Sequence, residues 1–435
     1  MVLLAAFLGW MFDGYEIGLF PVIARPAIKG LLGGVGDEVV GPWMGYITAG
    51  FLLGAALGGV VFGWLGDRIG RVRAMALSIL AYSLVTGLGY FATAPWHLAA
   101  VRFISALGMG GQWSLGVALV MECWPERWRP MLAGGIGAAA NVGFLLVGAT
   151  ARLHQVTPDS WRWMLVVAAL PAFLVVFIMF GVPESERWRK AAAGAPGDFS
   201  PMREVFRAGL RSRTLLAIGL ASIALIGTWG SVQWLPSWAN KMVNESGIAT
   251  LRAEHPGWYA PGAPGSPEKE TAEGAVRKRA GQATADIQMI QGLGAIVGTL
   301  LAPLMGARLG RRPAYFLLCL GSLLVCGATF RTVHAYGSMF LAWGFVVSLT
   351  TASFYGWFPL YFPELFPTRV RATGQGLSYN FGRVFAAVGA VTQGQLVASF
   401  GGDYARAGAV VTLIYLVGMG IIWLAPETRD APLPD

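Results

Sequence analysis

Charge is scarce in this chain. Asp, Glu, Lys and Arg make up only 13% of its 435 residues, about half the roughly 25% of a soluble domain. Cysteine and histidine are scarcer still. Cys123, Cys319 and Cys326 have no metal-ligand spacing, and the last two share one apolar run, where they are expected to pack as small apolar groups. His97, His154, His255 and His334 all fall in or near loops expected outside a bilayer. These shortages argue against a disulfide framework, a metal centre and histidine catalysis. No lysine follows a glycine loop in the manner of a phosphate-binding motif, and Gly108-Met109-Gly110-Gly111 lies too deep in an apolar stretch to cradle phosphate. No cofactor is expected, and nothing points to an enzyme. A cleavable leader is also missing: the first apolar run, 2–28, lacks a basic start and carries Asp13 and Glu16, so it reads as a span. A cytosolic tail would ordinarily precede it. The net charge of +9 suggests nucleic acid only until its distribution is seen, because the basic residues sit in short loops between apolar runs.

Apolar surface is abundant. Hydrophobic residues make up 55%, mean hydropathy is +0.57, and there are 60 glycines, which suit closely packed membrane helices. About 20 apolar residues cross a bilayer as a helix. On that ruler spans are expected near 2–28, 42–64, 72–93, 95–120, 131–151, 162–182, 214–237, 284–306, 313–331, 335–360, 372–397 and 407–425. The even-numbered connections hold most of the short-loop Lys and Arg, including Arg68, Arg71, Arg73, Arg127, Arg129, Arg187, Arg308, Arg311, Arg369 and Arg371. By the positive-inside rule that side is cytosolic, and both termini are expected there. The division is therefore 1–182 for one six-helix half, 183–213 for a cytoplasmic linker, and 214–435 for the second half. An outer insertion, 238–283, is rich in Pro, Gly, Glu and Lys. Within the linker, 202–210 is expected as a surface helix, and 268–285 as a polar helix leading into the eighth span.

The chain repeats itself. Glu122-Cys123-Trp124-Pro125-Glu126-Arg127-Trp128-Arg129 and Glu364-Leu365-Phe366-Pro367-Thr368-Arg369-Val370-Arg371 both read Glu-x-aromatic-Pro-x-Arg-x-Arg. At nearly the same offset, 63–71 (GWLGDRIGR) has an eroded partner in 306–312 (GARLGRR), and Pro183-Glu184-Ser185-Glu186-Arg187 is echoed by Pro426-Glu427-Thr428-Arg429. Duplicated membrane units of this kind build many transporters.

These residues resemble the major facilitator superfamily over nearly the whole chain. The segment 63–73 is similar to its signature between spans 2 and 3, with Val72 in place of the last basic residue and Ala307 in place of the aspartate in the second copy. Arg102 with Gly108, Gly110 and Gly111 resembles its span 4 signature. The Pro-Glu-Ser and Pro-Glu-Thr phrases resemble the sugar-porter branch. Asp13-Gly14-Tyr15-Glu16 and Tyr379-Asn380-Phe381-Gly382-Arg383 resemble the aromatic-acid and sialate/lactate proton symporters. The resemblance implies an all-α membrane protein of twelve transmembrane helices in two pseudo-symmetric six-helix bundles. It also implies a cytosolic gate in which Asp67 meets the facing half's helix start and arginines pair with carboxylates such as Glu122. Gly63, Asp67, Arg68, Gly70, Arg71, Glu122, Arg129, Glu364 and Arg371 are assigned to that gate; the alternative is plain positive-inside topology.

Asp13 and Glu16 lie three apart on one helix face, near mid-membrane, where a bare charge is costly. A proton-coupling role, shared with Arg102, is weighed against a static pair with an arginine. Arg383 falls near the middle of its span. It is read as the fork for a substrate carboxylate, or else as an ion-pair partner of Asp13 or Glu16. Gln112, Trp113, Asn141, Gln291, Tyr355, Trp357 and Asn380 are the further candidates for the cavity wall, with Gln233, Trp234 and Gln288 behind them. The expectation is a monomeric proton-driven carrier of a small organic anion in the bacterial inner membrane. The rivals are a sugar or polyol porter, drug efflux, and a membrane sensor that does not transport.

Overall fold

The computed structural model describes residues 1–33, 37–153, 160–193, 200–260, 266–400 and 403–434. Among them there is no strand. The helices are α1 (Val2–Leu31), α2 (Asp37–Ile69), α3 (Arg71–Leu88), α4 (Pro95–Met109), α5 (Gln112–Cys123), α6 (Arg129–Leu153), α7 (Arg162–Ala169), α8 (Leu174–Gly181), α9 (Glu186–Ala193), α10 (Pro201–Glu204), α11 (Arg211–Trp229), α12 (Leu235–Glu254), α13 (Pro267–Leu309), α14 (Arg311–Thr332), α15 (Ser338–Ala352), α16 (Phe354–Leu365), α17 (Arg371–Ser399), α18 (Tyr404–Val411) and α19 (Ile414–Ile421). The pairs α4–α5, α7–α8, α15–α16 and α18–α19 are each one rod with a local break, at Gly110-Gly111 in the first and Ser353 in the third.

Among the described residues, eleven rods are long and apolar enough to cross a membrane. The twelfth expected span, α17, is 29 residues long but falls outside that set. Gln375, Asn380, Arg383 and Gln393 make it polar, so its place in the bundle rests on neighbours that cover those groups. In the first half α1 packs on α6, and α2 and α3 pack on α4. In the second α11 packs on α17, and α13 and α14 pack on α15. The halves meet along two seams, α2 against α17 and α6 against α13. Glycine lets backbones touch: a side chain at Gly14 of α1 would run into the Ala140 carbonyl of α6, and one at Gly143 into that of Met11.

Two connections differ from expectation. The seventh span does not stop at 237, because α12 carries the helix on to Glu254, whereas the polar helix expected over 268–285 is present as the first part of α13. Ser266 caps α13 by accepting from the Lys269 N–H at 3.1 Å, Pro267 opens the first turn, and Glu268 and Glu270 face the helix dipole. At 43 residues α13 is about 65 Å long, twice what the membrane needs. Its polar first half pairs with α12, and Gly247 sits against Val276. The stretch 202–210 does not form a surface helix either. Only Pro201–Glu204 is helical, and Val205 is buried beneath it.

Candidate functional site

Two buried polar clusters stand out. The first is at the centre, between α1, α4, α5, α16 and α17. Asp13 is 0% exposed, and neither carboxylate oxygen has a hydrogen-bond partner. It lies within electrostatic reach of Arg383 and of Glu16. Glu16, one turn further along α1, does not share that arginine. It ion-pairs with Arg102 of α4, accepts from the Thr86 hydroxyl at 2.7 Å and from Ser105 at 3.3 Å, and its own carbonyl accepts from Arg102 at 3.1 Å. Arg102 stacks on the Phe51 ring, 4.4 Å from its centroid. The two carboxylates thus have opposite circumstances. Glu16 takes Arg102, Thr86 and Ser105 on one oxygen, Oε1, with Oε2 unpartnered, and Asp13 is buried with nothing donating to either oxygen. A carboxylate so placed is costly unless a cation or a proton neutralises it.

Arg383 is 6% exposed. Its guanidinium turns back along α17, donating to Asn380 Oδ1 at 2.8 Å and lying 5.1 Å over the Tyr379 ring. Tyr379 stacks on Trp113 of α5, centroids 4.3 Å apart, and meets Tyr355 and Phe358 edge-on. Gln112 of α5 is buried with both amide atoms unpartnered, and its amide fills the space beside Gly9, one turn before Asp13. The centre is therefore one guanidinium, one free carboxylate and an aromatic wall, with an amide whose hydrogen bonds are unmet.

Other expected lining residues go elsewhere. Asn380 spends its amide on the Gly110 and Gly376 carbonyls, at 3.1 and 2.9 Å, bridging α17 to the α4–α5 break. Trp357 packs on Tyr315 and Tyr361 inside the second half, away from Arg383. Gln291 donates to the Val232 carbonyl at 3.2 Å, closing the break between α11 and α12. Trp234 donates to the Trp229 carbonyl at 3.2 Å, and Gln233 and Gln288 are exposed. Asn141 is half-buried on α6. Two residues absent from the expected wall belong near it. Tyr379 had been read only as part of a motif. Gln375 is 0% exposed with both amide atoms unpartnered, and at i, i+4 and i+8 Gln375, Tyr379 and Arg383 form one stripe of α17. A helical-wheel reading from Arg383 would have found both.

The second cluster closes the arginine-rich face. Arg71 donates to Asp67 at 2.7 Å, to Glu122 at 3.0 Å and to the carbonyls of Gly66 and Thr368 at 2.8 and 2.7 Å. Asp67 accepts from the Ala372 and Thr373 N–H groups at 3.2 and 2.7 Å, at the positive start of α17. Glu122 also takes Arg371 at 2.9 Å. Gly63 abuts the Ala372 carbonyl, so only glycine permits this approach. In the second half Arg311 donates to Glu364 at 3.0 and 2.6 Å, and buried Arg129 lies within electrostatic reach of Glu364. Gly70 and Gly310, at φ 107° and 97°, turn the chain into α3 and α14. Arg68 stands outside: it is exposed and lies over the Trp64 ring.

The chain is similar to known proteins. Residues 2–254 match the family model described as Major Facilitator Superfamily. The chain is 30% identical to the inner membrane metabolite transport protein YgcS of Escherichia coli, across 97% of this chain and 90% of that one. It is 28% identical to the cis,cis-muconate transport protein of Acinetobacter baylyi, across 84% and 81%. Its fold superposes on the proton:xylose symporter XylE with a TM-score of 0.73 at 18% identity, covering 99% of this chain and 97% of that one. With a fold, a repeat and a family model in agreement, this chain belongs to the major facilitator superfamily and is a multi-pass membrane transporter.

Proposed function

We propose that the protein imports a small organic anion together with protons, by alternating access of the central cluster to the two sides of the bacterial inner membrane. The observation that carries this reading is the buried, unpartnered Asp13 carboxylate within electrostatic reach of Arg383. Arg383 is a fork suited to a carboxylate, and it has one hydrogen bond to Asn380 with the Tyr379 ring beneath it. A substrate carboxylate arriving there competes with Asp13 for the same charge. Once the anion binds, Asp13 is left without its counter-charge and takes a proton; once the anion leaves, Arg383 returns to Asp13 and the proton departs. Binding and protonation are then one linked event. Glu16, Arg102, Thr86 and Ser105 form a standing network on the same helix that holds α1 and keeps its second carboxylate out of the exchange. The aromatic wall of Trp113, Tyr355 and Tyr379 suits a planar or unsaturated acid, and the relative named for cis,cis-muconate is consistent with that class.

With the arginine-rich face in the cytosol, the Arg71–Asp67–Glu122–Arg371 cluster is the inner gate, closed in the conformation described. The unmet amides of Gln112 and Gln375 favour a second reading, a neutral sugar or polyol held by hydroxyl contacts. Uptake into proteoliposomes separates the two. Asp13→Asn should lower pH-driven accumulation of a monocarboxylate at least about tenfold, a change of 1.4 kcal/mol in coupling, and leave exchange of labelled for unlabelled substrate in place. Arg383→Ala should abolish both. Accumulation by Asp13→Asn at the level of the parent rejects the coupling role. Sugar binding untouched by Arg383→Ala rejects the anion.

A further inference from the structure

We propose that the C-terminal segment 430–434 is a strap that positions the gate arginine Arg371 and holds the cytosolic face closed. The chain leaves the second bundle at Glu427, whose carboxylate accepts from the Arg311 and Arg312 N–H groups at 2.8 and 3.0 Å. It then turns sharply. Asp430 is the one described non-glycine residue with positive φ, at 61°, and the Ala431 N–H closes the turn on the Thr428 carbonyl at 3.1 Å. A left-handed non-glycine residue persists only where surrounding contacts demand it. What lies beyond the turn supplies those contacts. Leu433 is 3% exposed and belongs to the buried apolar cluster that also holds Leu365 and Phe366. The Pro434 carbonyl accepts from Arg371 Nη2 at 2.6 Å and from the Thr368 hydroxyl at 3.3 Å.

Arg371 is 0% exposed, so each of its donors needs an acceptor. Nε goes to the Pro363 carbonyl at 3.2 Å and Nη1 to Glu122 of the other half at 2.9 Å. The strap takes the third edge, which fixes the plane of the guanidinium and aims Nη1 across the seam. Pro432 and Pro434 keep the strap extended before it docks, which lowers the entropy lost on seating. When the halves part and Glu122 leaves, the reason for that orientation goes too, so gate opening and strap release are coupled. Strength of the strap then sets how often the inner gate opens.

The inference rests on the gate reading, and the test separates them. Spin labels at Arg73→Cys and Leu309→Cys, exposed positions at the cytosolic ends of α3 and α13, report gate opening as a longer distance in a Cys123→Ser background. Leu433→Asp, and a chain ending at Arg429, should each raise the ratio of long to short distances about tenfold, the loss of one buried charged hydrogen bond. Leu433→Ile should leave it unchanged, and Glu122→Gln should raise it by breaking the gate itself. A shift with Glu122→Gln but none with the truncated chain overturns the strap and leaves the gate standing. No shift with either overturns both. If Leu433→Asp fails to reach the membrane, the truncated chain decides.

Discussion

The two copies of the loop motif fasten their own bundles in the same way and fasten to each other in different ways. In each, an arginine reaches back to a glycine carbonyl, Arg71 to Gly66 at 2.8 Å and Arg311 to Gly306 at 3.2 Å, and grips a glutamate at the end of the fourth rod of its half. In each, a glutamate beyond the sixth rod reaches back to cap the start of the third: Glu184 on the N–H groups of Arg71 and Val72 of α3, Glu427 on those of Arg311 and Arg312 of α14. The copies part company at one position. Asp67 caps α17 of the opposite half, and Ala307 has no side chain to do so. Glu122 is shared between Arg71 and, across the seam, Arg371; Glu364 has Arg129 of the opposite half within electrostatic reach and also accepts from the Thr428 hydroxyl of its own half at 2.5 Å. Fastenings inside a half are duplicated because both bundles must stay rigid. Between halves, the carboxylate cap on a helix start is present in one copy only, Asp67 on α17.

Four substitutions test that asymmetry, taken from the largest effect down. Glu122→Gln leaves buried Arg371 without its counter-charge and Arg71 with Asp67 alone, and loss of one partner of a buried pair costs about 3–5 kcal/mol. Glu364→Gln should cost comparable stability in a thermal melt, but Glu122→Gln should change the accessibility of the arginine-rich face to a thiol probe more. Equal accessibility changes would show that both copies close the gate. Asp67→Asn keeps the size of the cap and removes its charge. Transport should fall about tenfold, as expected for about 1.4 kcal/mol of lost gate stabilisation, with membrane insertion intact. Restoring the aspartate by Ala307→Asp should not compensate, and normal uptake by Asp67→Asn would end the gate assignment.

The turn glycines come next. Gly70→Ala and Gly310→Ala both force a side chain into left-handed backbone at about 1–2 kcal/mol. Gly70→Ala should be the worse, because a methyl there runs into the Glu184 carboxylate more closely than one at Gly310 approaches that of Glu427; equal melting shifts would mean the backbone strain alone decides. The smallest effect concerns Glu427, outside the spans. Burial works against its charge, but the N–H donors of Arg311, Arg312 and Arg429 hold its carboxyl below the usual range. A depressed folded-state pKa contributes stability that is present above the ordinary value and lost as pH falls through the lowered one. The difference in melting temperature between the parent and Glu427→Gln should therefore hold from neutral pH down to the ordinary glutamate value, then shrink and disappear as pH falls through the lowered value. A difference that grows on acidification would contradict the cap.

Much of this was legible before any coordinates. Apolar runs of membrane length, the repeated Glu-x-aromatic-Pro-x-Arg-x-Arg phrase, and Asp13, Glu16 and Arg383 amid hydrocarbon are all visible in one dimension, because hydropathy and charge are properties of residues. Pairing is not. Asp13 and Glu16 look equivalent on one helix face, and only the approach of α4 with Arg102 ties up one and frees the other. Trp357 and Gln291 have the composition of cavity residues, but helix rotation sends the first to Tyr315 and Tyr361 and the second to a broken backbone. Arg68 looks like Arg71 in the same loop, and only Arg71 turns inward.

The amino-acid order by itself determined the class, the number of rods, their duplication and the family, since bilayer thickness leaves a helix of about twenty apolar residues few alternatives. Tertiary structure decided which charges meet. Which carboxylate stays unpartnered, which arginine crosses the seam, and where the strap lands depend on contacts between residues up to hundreds of positions apart. Such contacts arise from how rods rotate and cross when small residues let their backbones touch, and no local pattern records that geometry.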